Sequence, residues 1–193
     1  VRTSVRRKPP TGDSHMKKII PLLLLMGGIL TVAAGHVRAE SLTTPVHKIT
    51  DAGVDKELGS VVFTDDGKGG VDILVEMTGL PPGPHGMHIH ENPSCAPAPK
   101  DGKNVAGLAA GGHFDPAHSG RHEGPGKPGH KGDLPFITAD AQGMVKARLH
   151  APGLTTADLR GRSLMIHAGG DNYADIPAPL GGGGARIACG VIK

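Results

Sequence analysis

The stretch Gly86–Cys95 reads GMHIHENPSC. Side chains alternate between the two faces of an extended strand, so His88 and His90 project one way and Ile89 the other. Two imidazoles on one rigid face are either half of a metal site or two surface histidines. Four more histidines join the pattern: His113 after two glycines, His122 and His130 in a loop rich in Gly and Pro, and His167 at the end of an apolar strand. Asp133 follows His130 by three residues. Copper and zinc both favour imidazole, and six histidines with a carboxylate exceed the four ligands of one tetrahedral zinc. The set therefore predicts two metals. A metal sponge would show a tandem histidine tract, whereas these residues are dispersed and attached to strands. The other histidines of residues 40–193, His47, His85, His118 and His150, read as solvated surface residues.

The elements that must position these groups read as strands. SVVFTDDGKGGVDILVEM is two apolar runs around an Asp- and Gly-rich turn, a β-hairpin within Ser60–Leu80. Val71, Ile73, Val75 and Met77 share one face and Asp72 and Glu76 the other. Val145, Ala147 and Leu149 alternate with Lys146, Arg148 and His150, and further strands fit Ser163–His167 and Ala185–Ile192. No segment of 40–193 carries a 3.6-residue stripe of useful length. The pattern predicts an all-β sandwich or barrel. Residues 91–133 have almost no periodicity, and a loop that long in a compact domain is either disordered or held by something else, usually a metal or a disulfide.

Residues 1–15 read as an extension upstream of a natural start at Met16. Residues 16–39 read as a signal peptide: Lys17 and Lys18, an apolar run from Ile19 to Ala34, and small residues suited to cleavage near Ala39. The run contains Pro21 and is short for a bilayer span, so the expectation is an exported, periplasmic domain at 40–193 with no stable membrane association after cleavage. Residues 1–39 hold seven of the 21 Lys and Arg but one of the 18 Asp and Glu, leaving 14 basic and 17 acidic side chains beyond. The overall charge of +3 thus belongs to the leader, and with no Trp and one Tyr in the chain nothing points to nucleic acid. Cys95 and Cys189 are the only cysteines. In an exported protein such a pair reads as a disulfide, worth up to ~4–5 kcal/mol for so long a loop on the chain-entropy relation.

GMHIHENPSC (86–95), GGHFDP (111–116), HEGP (122–125), GHKGDLP (129–135), SLMIHAGGDNYAD (163–175) and PLGGGGARIACG (179–190) together make the chain resemble the copper-zinc superoxide dismutase family in its bacterial exported form, over essentially all of 58–193. The resemblance implies an eight-stranded Greek-key β-barrel with long metal-binding loops. It implies that His88, His90, His113 and His167 are copper ligands, and that His113, His122, His130 and Asp133 are zinc ligands with His113 shared. It further implies a Cys95–Cys189 disulfide, Arg186 at the mouth of the copper channel, and Asp171 linking a copper histidine to a zinc histidine. Met87 stands where Phe is common and His118 where a small polar residue is usual; neither is a ligand position, and Met87 is expected in the interior.

The implied reaction is dismutation of superoxide to oxygen and hydrogen peroxide, with copper cycling between two oxidation states and His113 supplying a proton. Arg186 offers a fixed guanidinium that attracts the small anion. Gly181–Gly184 lacks the Gly-Lys-Ser/Thr ending of a phosphate loop and reads as backbone freedom near the site. A zinc hydrolase, with Glu91 or Glu123 as base, leaves the surplus histidines unexplained. A non-catalytic exported copper- and zinc-binding protein is the alternative, and it would be indifferent to Arg186→Ala. A copper-only variant is disfavoured by His122, His130 and Asp133 together. The reading leaves open a monomer or a homodimer.

Overall fold

The computed structural model describes Val1 and residues 40–193, so the upstream extension and the signal peptide lie outside the described residues. Strands β1 (Ser41–Thr50), β2 (Gly53–Asp65) and β3 (Gly70–Met77) form an antiparallel meander. The β2–β3 hairpin is in register at Val61 with Val75 and Phe63 with Ile73, so the alternating apolar residues meet on one face. Its turn is closed by Asp66, whose Oδ1 accepts from the backbone N–H of Lys68 and Gly70. An aspartate bonding its own following backbone is a common way to hold such a turn.

Then come β4 (Gly83–His85), β5 (Met87–His90), the short pair β6 (Ala98–Lys100) and β7 (Lys103–Val105), β8 (Ile137–Ala139), β9 (Val145–Pro152), a single helical turn α1 (Thr156–Leu159), β10 (Arg162–His167) and β11 (Arg186–Ile192). Seven strands make one antiparallel sheet in the order β5-β10-β11-β1-β2-β3-β9. β4 pairs with β8. Only Gly86 separates β4 from β5, and a turn at 140–144 leads β8 into β9, so this pair is tethered to both end strands of the curled sheet. The expected eight strands thus appear as eleven shorter segments, with the all-β barrel architecture kept.

The core is mostly aliphatic, built from Val61, Phe63, Val71, Ile73, Val75, Met87, Ile89, Leu164 and Ile166 among others. Met87 is interior, as expected. β1 was not among the expected strands. Its inward residues are Leu42, Thr44 and Val46, Pro45 sits on the outer face, and Ile49, beyond a bulge, packs with Cys95, Ala110, Met165 and Cys189.

The stretch 91–133 is irregular apart from the β6–β7 hairpin and a 3-10 turn at Leu108–Ala110. It is held across the barrel by backbone contacts: Phe114 N donates to Ile89 O at 2.8 Å and Gly132 N to Phe114 O at 2.9 Å. Isolated bridges set His90 against His113 and His88 against Asp133. A Cys95–Cys189 disulfide ties the same loop to β11. The loop therefore lies across the outer face of β5, the face from which His88 and His90 project.

Candidate metal centre

His88 and His90 leave β5 on the side away from Met87 and Ile89, as strand alternation requires, yet the loop covers them and all four residues are buried. Each ring is oriented through one nitrogen. His88 Nε2 donates to Asp171 Oδ2 at 2.7 Å, His90 Nδ1 to Gly111 O at 3.0 Å, and His167 Nδ1 to Gly184 O at 3.1 Å. The donated proton fixes the tautomer and leaves a lone pair on the other nitrogen. Those nitrogens, His88 Nδ1, His90 Nε2 and His167 Nε2, are buried without a hydrogen-bond partner, as is His113 Nε2. One donor atom from each of His88, His90, His113 and His167 lies within 4.8 Å of the others.

A second group forms around Asp133. Its Oδ1 accepts from His113 Nδ1 at 3.1 Å and lies 3.6 Å from His130 Nδ1, while Oδ2 lies 3.0 Å from His122 Nδ1. His88, His113, His122 and Asp133 also fall within 4.8 Å of one another. His88 Nε2 is committed to Asp171, however, and its free nitrogen belongs to the first group. The second is left with His113, His122 and Asp133, with the buried, unpartnered Nδ1 of His130 beside Asp133. His113 is common to both, with Nδ1 on Asp133 and Nε2 buried without a partner.

Burial lowers the pKa of His113 to about 4 and of His167 to about 3, and holds His90 well below the ordinary value. These rings are neutral at physiological pH, as ligand imidazoles must be. Burial also disfavours a charged His122, but the carboxylates of Asp133 and Asp171 on either side outweigh it and push its pKa up to about 9. Burial acts to raise Asp133 and Asp171, yet hydrogen bonds from the histidines hold both carboxyls far below the usual range. Bare buried nitrogens carry a desolvation cost. Cations accepting their lone pairs would remove it, so the residues present fit a metal pair of the copper and zinc kind.

Asp171 joins the groups, its Oδ1 accepting from His122 Nε2 at 2.7 Å while Oδ2 holds His88. A Cβ on Gly181, whose φ is +70°, would collide with Asp171 Oδ1, so a glycine at 181 is required by the close approach of backbone to this carboxylate. Arg186 lies opposite His167 in the β10–β11 register. Its two terminal nitrogens donate to Gly107 O at 2.6 Å and Gly111 O at 2.7 Å. The guanidinium is thus fixed to the disulfide-held loop. Its charge reaches both His90 and His167, whose pKa values it helps to lower.

His85 corrects the expectation of a surface residue. It is 1% exposed, with Nδ1 2.7 Å from His167 O and Nε2 2.8 Å from Pro81 O. Alternation carried two residues back from Met87 would have placed it on the interior face. His47 is half-buried in β1 near Glu57, whereas His118 and His150 are exposed as expected. Sequence reasoning also missed Asp175, whose carboxylate accepts from the backbone N–H of His122 and of Leu180 and so joins the loop before Gly181 to the second group.

Buried imidazoles and a carboxylate arranged as two adjoining cation sites on a curled antiparallel sheet define a two-metal β-barrel protein. Residues 57–192 match the family described as copper/zinc superoxide dismutase (SODC). The superoxide dismutase [Cu-Zn] of Brucella abortus biovar 1 (strain 9-941) is 50% identical over 171 residues, 88% of this chain and 98% of that protein. A solved structure of the Cu/Zn superoxide dismutase from Brucella abortus superposes with a TM-score of 0.77 at 53% identity, over 80% of this chain and all of that one. The solution structure of the monomeric copper, zinc superoxide dismutase from Salmonella enterica gives 0.71 at 48% identity, with 80% of this chain and 100% of that one covered. The chain belongs to the copper/zinc superoxide dismutase family. It is an oxidoreductase that dismutates superoxide, with copper and zinc as cofactors.

Proposed function

We propose that His88, His90, His113 and His167 hold copper, that His113, His122, His130 and Asp133 hold zinc, and that the enzyme works as an exported, periplasmic antioxidant. The observation that carries this reading is the two-sided placement of His113, with Asp133 at Nδ1 and three other bare imidazole nitrogens around Nε2. Copper supplies the one-electron cycle that converts two superoxide anions and two protons to oxygen and hydrogen peroxide, while zinc, without a redox change, supplies fixed charge.

The chain's own residues do the rest. Arg186, braced on two carbonyls, presents positive charge beside His90 and His167 and draws the anion in. His113 Nε2 is the atom placed to carry a proton for the peroxide half of the reaction. Asp171 fixes one ring of each group and so keeps their spacing. The domain at 40–193 is read as the mature enzyme after removal of 16–39. The Salmonella enterica relative is described as monomeric, which supports a monomer over a homodimer. Metal analysis of residues 40–193 with a dismutation assay on the same preparation tests the reading. One copper and one zinc per chain with turnover is expected; bound metal without turnover would favour a non-catalytic carrier.

A further inference from the structure

Arg162 opens β10 and touches three segments at once. Its guanidinium carbon lies 3.5 Å from the centroid of the Phe114 ring. Its Nε donates to Asp158 O in α1 at 2.8 Å, and a terminal nitrogen donates to Glu91 O at 3.1 Å. Phe114 directly follows His113, and Glu91 directly follows His90. The Phe114 backbone is tied to Ile89 on one side and Gly132 on the other, and its ring is buried in the core. A guanidinium over a ring, with two of its N–H groups engaged by the carbonyls of Asp158 and Glu91, is held in place against that ring. A buried ring gripped at position 114 constrains the backbone at 113, and therefore the direction in which that imidazole leaves the chain.

We infer that Arg162 is a positioning residue for His113: by clamping Phe114 it sets the orientation in which the two imidazole nitrogens meet the two cation sites. The inference rests on His113 being the shared ligand. Arg162 also holds Glu91, so the segment after His90 and the segment after His113 are fixed to one group. A leucine at 162 would still cover the ring but release both carbonyls. A lysine would keep a cation near the ring but lacks the planar fork that serves both carbonyls together.

The test uses the full chain loaded with copper at both positions, because two copper(II) ions joined by one imidazolate couple magnetically and the coupling falls as the ring turns out of line. Variable-temperature electron paramagnetic resonance would be recorded for the parent protein, Arg162→Leu and Arg162→Lys, with visible spectra of the copper- and zinc-loaded forms. The expected result is strong coupling in the parent, a coupling at least about twofold weaker with a shifted copper band in Arg162→Leu, and an intermediate value in Arg162→Lys. Folded Arg162→Leu with parental coupling and spectrum would overturn the inference. Should that variant fail to fold, parental coupling in Arg162→Lys would overturn it equally. No coupling in the parent protein would instead remove the shared-ligand reading on which the inference stands.

Discussion

His88 and His122 are tied together by one carboxylate: Asp171 accepts from His88 Nε2 on Oδ2 and from His122 Nε2 on Oδ1, each at 2.7 Å. An amide offers one acceptor oxygen and one donor nitrogen, so it cannot serve both N–H groups. Asp171→Asn should therefore release one ring while the barrel stays folded. Loss of such an outer partner typically lowers metal affinity about 10–100-fold. Competition with a zinc chelator reads this directly, and parental zinc retention in the variant would refute the brace.

The disulfide connects the loop that holds Arg186 to the strand that carries it. Replacing both Cys95 and Cys189 with alanine should cost about 2–5 kcal/mol of stability. It should also weaken the response of the rate to anions, because the loop carrying Gly107 and Gly111 then loses its covalent tether to β11 and keeps only the Arg186 hydrogen bonds. Urea unfolding measures the first effect, and dismutation rate against ionic strength the second.

Arg186→Ala should leave both metals bound and slow superoxide capture roughly tenfold or more, the scale of electrostatic steering at a focused site. The parent rate should fall with added salt and the variant rate should depend on salt less steeply. Equal salt dependence in the two proteins would count against attraction by this guanidinium.

Asp66 carries a pH dependence away from the metals. A hydrogen bond from His150 and the backbone N–H groups of Lys68 and Gly70 lower its pKa to about 2 in the folded chain. A carboxyl depressed on folding contributes stability that is present above its ordinary value near 3.8 and is lost as pH falls through about 2. Acid titration of the folded protein should show this loss between those values. Asp66→Asn should be less stable at pH 7 and should lack that part of the acid slope.

Much of the site could be read from strand alternation. His88 and His90 share a face because they are two residues apart on a strand, and Met87 and Ile89 fill the other side. The hairpin around Asp66 and the inward faces of β3 and β9 follow from the same period. What alternation missed depended on distant partners or short elements. His85 beside Pro84 and Gly86 looked like a turn residue, yet its partner His167 O is 82 positions away. β1 has Pro45 in its middle, tolerated because it lies on the outer face. α1 is four residues long, too short for a helical stripe, and exists because Thr155 and Asp158 form a capping box. Arg162 gave no signal, since a basic residue opening a strand is ordinary until Phe114 is brought beneath it.

The shared histidine is tested most directly by a crystal structure of the metal-loaded chain, with anomalous scattering recorded at the copper and zinc absorption edges. The account expects a copper peak about 2 Å from His113 Nε2 and a zinc peak about 2 Å from His113 Nδ1. Two separate peaks with His113 bound to only one of them, or to neither, would contradict it.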